Sequence, residues 1–163
     1  MNLYLIRHAH AGDRREWDGP DATRPLSKRG RRQAEAIADA LSSEPIERVL
    51  SSPAVRCLQT GAALAARLHL EVEPTPALTE GALLRNARGL LDTLVEHAVP
   101  AAFVAHGDLI PEVLHDLEHD GVTLIGAGCA KGSVWQLIVE HGKVVRGVYH
   151  GRPEVDERAT GSG

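Results

Sequence analysis

The sequence predicts an α/β domain with a mostly parallel central sheet, and three observations carry that expectation. Short apolar runs that read as buried strands recur along the chain. Segments with helical apolar spacing lie between them. The last two runs flank a short polar turn, the pattern of a closing hairpin.

The first strand is Leu3 to Ile6, ending at Arg7-His8. From Ala11 to Leu26 the chain is polar and broken by Gly12, Gly19, Pro20 and Pro25, which reads as loop. Ser27 then stands as a cap before a helix in which Ala34, Ile37, Ala38 and Leu41 repeat at helical spacing. Glu47 to Ser51 reads as a second strand. Ser52-Pro53 follows as an N-cap with proline in the first helical position, opening a helix carried to Leu68. A short strand over Leu70 to Glu73 and a proline-broken loop precede Leu78-Thr79-Glu80, and helical spacing returns from Arg88 to His97. Pro100 interrupts it; Ala101 to Ala105 forms another strand, ending at His106-Gly107, and Leu109 to His119 another helix. Val134 to Val139 and Val144 to Tyr149, joined by Glu140-His141-Gly142-Lys143, form the hairpin. The domain so read covers residues 1–150, and the polar segment 151–163 is expected to be a disordered tail.

At 163 residues the chain suits one domain. Aromatic residues supply only 3%, so the core is built from Leu, Val, Ile and Ala. The net charge of −4 argues against nucleic-acid binding, which calls for a basic excess. Cys57 and Cys129 offer neither a disulfide framework nor metal-ligand spacing and read as reduced thiols. The apolar start is shorter than the 7–15-residue core, roughly, of a signal peptide. No segment approaches the ~20 apolar residues of a membrane span. The expectation is a cytoplasmic protein without membrane contact, its oligomeric state left open.

Ligand sites of open α/β sheets lie outside the carboxyl ends of the strands. Three such ends carry Arg7-His8, Ser51-Ser52 with Arg56 one turn on, and His106. Two guanidinium groups gathered there suit a phosphoryl group, whose oxygens they bind bidentately. The amino end of the Ser52-Pro53 helix would add oriented N–H groups. A neutral imidazole with one nitrogen held as a donor has the other free to attack phosphorus. A second imidazole kept protonated would stabilise the charge on the equatorial oxygens. Chemistry of this kind calls for no metal and no cofactor.

The same residues carry a family likeness. Arg7-His8-Ala9 resembles the Arg-His-Gly signature of the histidine phosphatase superfamily. Pro25-Leu26-Ser27 with Gly30, Gln33 and Ala34 is similar to that family's helix start, and Ser51-Ser52-Pro53 with Arg56, Gln59 and Thr60 to its Ser-Ser-Pro-x-x-Arg-x-x-Gln-Thr segment. Ala105-His106-Gly107 resembles its second-histidine turn. The matches run in family order over residues 2–150. Ala9 departs from the usual glycine, as in the small branch resembling phosphohistidine phosphatases. Lys131-Gly132-Ser133-Val134-Trp135 and the loop Ala77 to Gly81 resemble the histidine phosphatase domains fused to Nudix hydrolases in some actinobacteria. The resemblance implies a three-layer α/β/α, phosphoglycerate mutase-like fold. It also implies a phosphohistidine intermediate on His8, a phosphate pocket of Arg7, Arg56 and His106, and Glu80 as proton donor to the leaving group. Because the long insertion typical of the mutases is missing, plain hydrolysis of a phosphomonoester or phosphohistidine is expected over mutase action. The substrate would be a phosphorylated small molecule, a nucleotide or a phosphoprotein.

Other readings stay open on the residues alone. The same pocket would serve a non-catalytic phosphate-binding module. His8 and His10, with Asp13, form an H-x-H pair that a continuing strand would turn to one face, as in a metallohydrolase. His115 and His119 lie one turn apart without a third ligand. Arg24, Lys28, Arg29, Arg31 and Arg32 read as a solvated helix face, although cations at a helix amino end oppose its dipole and point to a local anion. Gly126 to Ser133 lacks the Gly-Lys-Ser order of a P-loop and reads as a turn.

Overall fold

The computed structural model describes residues 1–155. Strands β1 (Asn2–Arg7), β2 (Arg48–Ser51), β3 (Val72–Pro74), β4 (Ala101–Ala105), β5 (Thr123–Ile125), β6 (Val134–Glu140) and β7 (Lys143–Gly151) form one sheet in the order β3-β2-β4-β1-β6-β7-β5. β6 is antiparallel to both β1 and β7 and alone runs against the rest. The mostly parallel α/β architecture expected from the sequence is the one observed.

Side chains alternate across the strands, and the alternation builds two cores. Leu3 and Leu5 of β1 and Phe103 of β4 pack with helices α3 (Leu84–Glu96) and α4 (Leu109–His119). Tyr4 and Ile6 of β1, with Val104 of β4, pack on the opposite face with α1 (Lys28–Leu41) and α2 (Val55–Arg67). Helices therefore cover both faces, giving three layers. Leu3, Leu64, Leu117 and Leu137 have no solvent exposure, and burying each such side chain contributes about 1.5–3 kcal/mol.

Register positions the functional edge. Arg7 pairs with Ala105, and Ser51 with Val104. His8, Ser52 and His106 are thus the first residues beyond three adjacent parallel strands, brought side by side by backbone pairing alone.

Several boundaries differ from the sequence reading, and one strand is absent from that reading. α2 begins at Val55, not at Pro53, because Ala54 (φ −59°, ψ 137°) is not yet helical. The strand expected from Leu70 starts at Val72. His69, in the left-handed region at φ 57°, closes α2 in a Schellman turn in which Leu70 N donates to Ala65 O. α3 starts at Leu84 rather than Arg88, because Leu84 and Ala87 extend the apolar stripe that Leu91 and Leu94 continue. β5, parallel to β7 at the sheet edge, has only three residues, shorter than the apolar runs that mark the other strands in the sequence. The final hairpin turns through His141 and Gly142 at φ 52° and 75°, the twist a two-residue turn between strands requires. Gly151, placed in the tail by the sequence, still pairs with Val134; residues 156–163 lie outside the described residues.

Candidate active site

A cleft of about 700 Å³ opens at the carboxyl edge of the sheet, and Arg7, His8, Arg56, Glu80 and His106 all line it. The His8 and His106 rings meet edge to face with centroids 5.4 Å apart.

His8 is buried just past β1. Its Nδ1–H donates to Ala9 O at 2.8 Å, which leaves the lone pair on Nε2. Burial first, then Arg56, His106 and Arg7, lower its pKa to about 3, against the upward pull of that hydrogen bond. The ring is therefore neutral at ordinary pH. The motif residues after α1 and α2 begin explain how this turn is held. Thr60 Oγ1 accepts from Ala9 N (3.1 Å) while donating to Arg56 O (2.7 Å). Gln33 Oε1 accepts from His10 N and Gln59 Oε1 from Leu26 N. At Gly30 any side chain would collide with the His10 carbonyl.

His106, expected to be protonated beside a phosphoryl group, is held toward the neutral form by its own surroundings. Its pKa is lowered to about 4, by burial and then by Arg56, so the ring is neutral. Arg56 Nη2 lies 3.5 Å from Nδ1 and Ser52 Oγ 2.8 Å from Nε2. A guanidinium N–H pointing at Nδ1 puts the ring proton on Nε2, where Ser52 Oγ accepts it. A phosphoryl dianion would act in the opposite sense to Arg56 and favour the imidazolium. Ser52, read from the sequence as a helix cap, is thus a ligand of His106. Behind the ring, Cys57 is buried and its thiol is pushed up to about 12, chiefly by burial.

Arg7 donates from Nη1 to Cys129 O (2.7 Å), and its guanidinium lies flat against Gly107. A Cβ at Gly107 would sit 2.5 Å from Arg7 Cζ, which is why glycine follows His106. Arg56, 2% exposed, donates to Asp21 O and to Glu80 Oε2 and is ion-paired with Asp21. The Nε atoms of both arginines are buried without a partner among the described residues. Glu80 also receives Arg14 Nη2 on both oxygens, at 3.1 and 3.2 Å.

The metal reading of His8, His10 and Asp13 meets a different geometry. β1 stops at Arg7, so strand alternation does not extend to His10. His10 Nδ1 lies 2.6 Å from Ser27 Oγ, and Asp13 accepts from Arg15 N. Among the described residues no group of three His, Cys, Asp or Glu side chains is arranged to hold a metal ion.

Sequence reasoning missed three cations of the cleft. Arg24 is not part of a solvated helix face: it precedes α1 and is 6% exposed, with Nε on Asp21 and Nη1 on Ala11 O. Lys28, Arg29 and Arg31 are exposed as expected, and Arg32 is half-buried. Lys131, from the glycine-rich turn, and Arg14 also line the cleft. Neither lies in a periodic segment, so no spacing marks them.

The histidine phosphatase superfamily (branch 1) model matches residues 3–151. A curated relative from Mycolicibacterium smegmatis, described as an 8-oxo-(d)GTP phosphatase, is 32% identical over 156 residues, covering 93% of this chain and 48% of the relative. The chain thus spans about half the length of that relative. The structure of the protein histidine phosphatase SixA complexed with tungstate superposes with a TM-score of 0.74 at 23% identity, covering 94% of this chain and 97% of that one. A mycobacterial glucosyl-3-phosphoglycerate phosphatase superposes with a TM-score of 0.71 at 19% identity, covering 91% and 97%. At these identities the two structures bear on the fold alone.

Proposed function

The chain belongs to the histidine phosphatase superfamily, and on that premise we propose that it is a phosphohydrolase working through a covalent phosphohistidine on His8. One observation supports this reading above the others. A neutral His8, tethered through Nδ1, shares a cleft with two guanidinium groups and a second imidazole.

In this reading His8 Nε2 bonds to phosphorus as the bond to the leaving oxygen breaks, and that oxygen takes a proton from Glu80. Water then attacks the phosphohistidine while the Glu80 carboxylate takes its proton. The phosphorus–nitrogen bond breaks, phosphate leaves and His8 returns to the neutral ring. Arg7, Arg56 and His106, whose imidazolium form the arriving dianion favours and which takes its proton from solvent, hold the equatorial oxygens, where the charge of the transition state gathers. Because Arg14 engages both Glu80 oxygens, proton delivery is coupled to release of that contact. Phosphorylated small molecules, nucleotides and phosphoproteins all present a suitable phosphoryl group, and the relative described as an 8-oxo-(d)GTP phosphatase draws the reading toward nucleotides.

Phosphate release from p-nitrophenyl phosphate tests the reading. His8→Ala removes the nucleophile, so turnover should fall by at least ~10³-fold, and EDTA should leave the wild-type rate unchanged. Retained turnover in the variant, or an EDTA-sensitive rate restored by a divalent ion, would contradict it.

A further inference from the structure

The carboxylates and cations of the cleft are unevenly distributed. Arg14, Arg24 and Arg56 share Asp21 and Glu80. Asp108 accepts from Gly81 N and Leu109 N, and Asp13 caps the turn that also carries Glu16. Around Lys131 the balance differs.

The backbone fixes Lys131 beside the nucleophile. Gly132 N donates to both Arg7 O (3.1 Å) and His8 O (3.0 Å), and Arg7 Nη1 donates to the carbonyl of Cys129. Lys131 is half-buried, and the charges that bear on it most are guanidinium groups, Arg7 first and then Arg24, Arg56 and Arg14. Burial and those four charges lower its pKa. Two further basic side chains line the same cleft. Arg24 has committed Nε and Nη1 to Asp21, Ala11 O and Gly12 O, which leaves Nη2. His10 Nδ1 is approached by Gly12 N and the Ser27 hydroxyl. The Ser27 hydroxyl also donates to His10 O, so Nδ1 is engaged on that side and Nε2 is left without a hydrogen bond among the described residues.

Arg7 and Arg56 already match the charge of one phosphoryl group. Asp21 is shared among three arginines and Lys131 has no ion pair among the described residues, and cations held together in excess of carboxylates are unfavourable until an anion joins them. We propose that Lys131, Arg24 and His10 form a second anion subsite beside the phosphoryl pocket, so that the substrate carries a phosphate or carboxylate close to the phosphoryl group that is cleaved. This rests on the reading of the cleft as a phosphatase site. It also assigns an anion to the amino end of α1, where Arg29 bears on His10.

The test compares kcat/KM for three substrates: guanosine 5′-diphosphate (a second phosphate), phosphoglycolate (a carboxylate) and p-nitrophenyl phosphate (neither). In Lys131→Gln the preference for the substrate that carries the matching second anionic group over the nitrophenyl ester should fall about 10- to 100-fold, the worth of one charge-assisted hydrogen bond. Lys131→Arg should restore most of it. The arm that loses its preference identifies the second anion as phosphate or carboxylate. Equal losses on all three substrates, or no preference in the wild-type protein, would overturn the subsite while leaving the phosphatase reading intact. A wild-type protein that hydrolyses none of the three and forms no phosphohistidine from any would remove the reading on which the subsite rests.

Discussion

Two neutral imidazoles buried at one sheet edge make stability depend on pH, and the size of the effect follows from their environment. His8 and His106 have folded-state pKa values of about 3 and about 4, against 6.5 in an unfolded chain. Below pH 6.5 the unfolded chain therefore binds protons that the folded chain refuses. The stability held in the two rings is complete above pH 6.5 and is lost as pH falls toward the folded values. Between pH 7 and pH 5 each ring subtracts about 2 kcal/mol, or about 4 kcal/mol together. That is a large share of the 5–15 kcal/mol, roughly, that holds a domain folded. Urea unfolding followed by circular dichroism at the two pH values measures it. The wild-type protein should lose about 4 kcal/mol, and His8→Asn and His106→Asn about 2 kcal/mol each. His10, also lowered, steepens all three alike. Variants that lose as much as the wild-type protein would refute the claim that these rings are buried neutral.

Gly107→Ala places a methyl group against the Arg7 guanidinium without requiring a left-handed backbone. A displacement on the order of 1 Å in a positioning group costs about 10²-fold, so kcat/KM should fall about 10- to 100-fold while far-UV circular dichroism stays unchanged. Ser52→Ala removes the acceptor at His106 Nε2. The loss of one buried hydrogen bond should lower kcat about tenfold, measured by phosphate release with substrate saturating.

Much of the site was legible because strand ends are legible. Apolar runs stop abruptly at Arg7-His8 and His106, and parallel pairing turns three such stops into one edge. Arg56 was readable as the residue one turn into the following helix. What stayed hidden depends on contacts made at long range. Arg24 is buried through Asp21 and the Ala11 carbonyl, and Arg14 reaches the cleft through Glu80. Lys131 is carried there by the Gly132 amide; none of the three belongs to a periodic segment. Ser52 fits a capping pattern and does accept from Ala54 N (3.3 Å), but its shorter bond is to His106, a partner 54 residues away. The charge of His106 is a property of its burial beside Arg56, which no spacing encodes.

The most direct measurement is rapid quench of the wild-type protein with radiolabelled substrate, followed by peptide mapping. Acid-labile, alkali-stable phosphate on the peptide containing His8, absent from His8→Ala, is the expected result. Steady turnover with no labelled histidine at any quench time would contradict the covalent route.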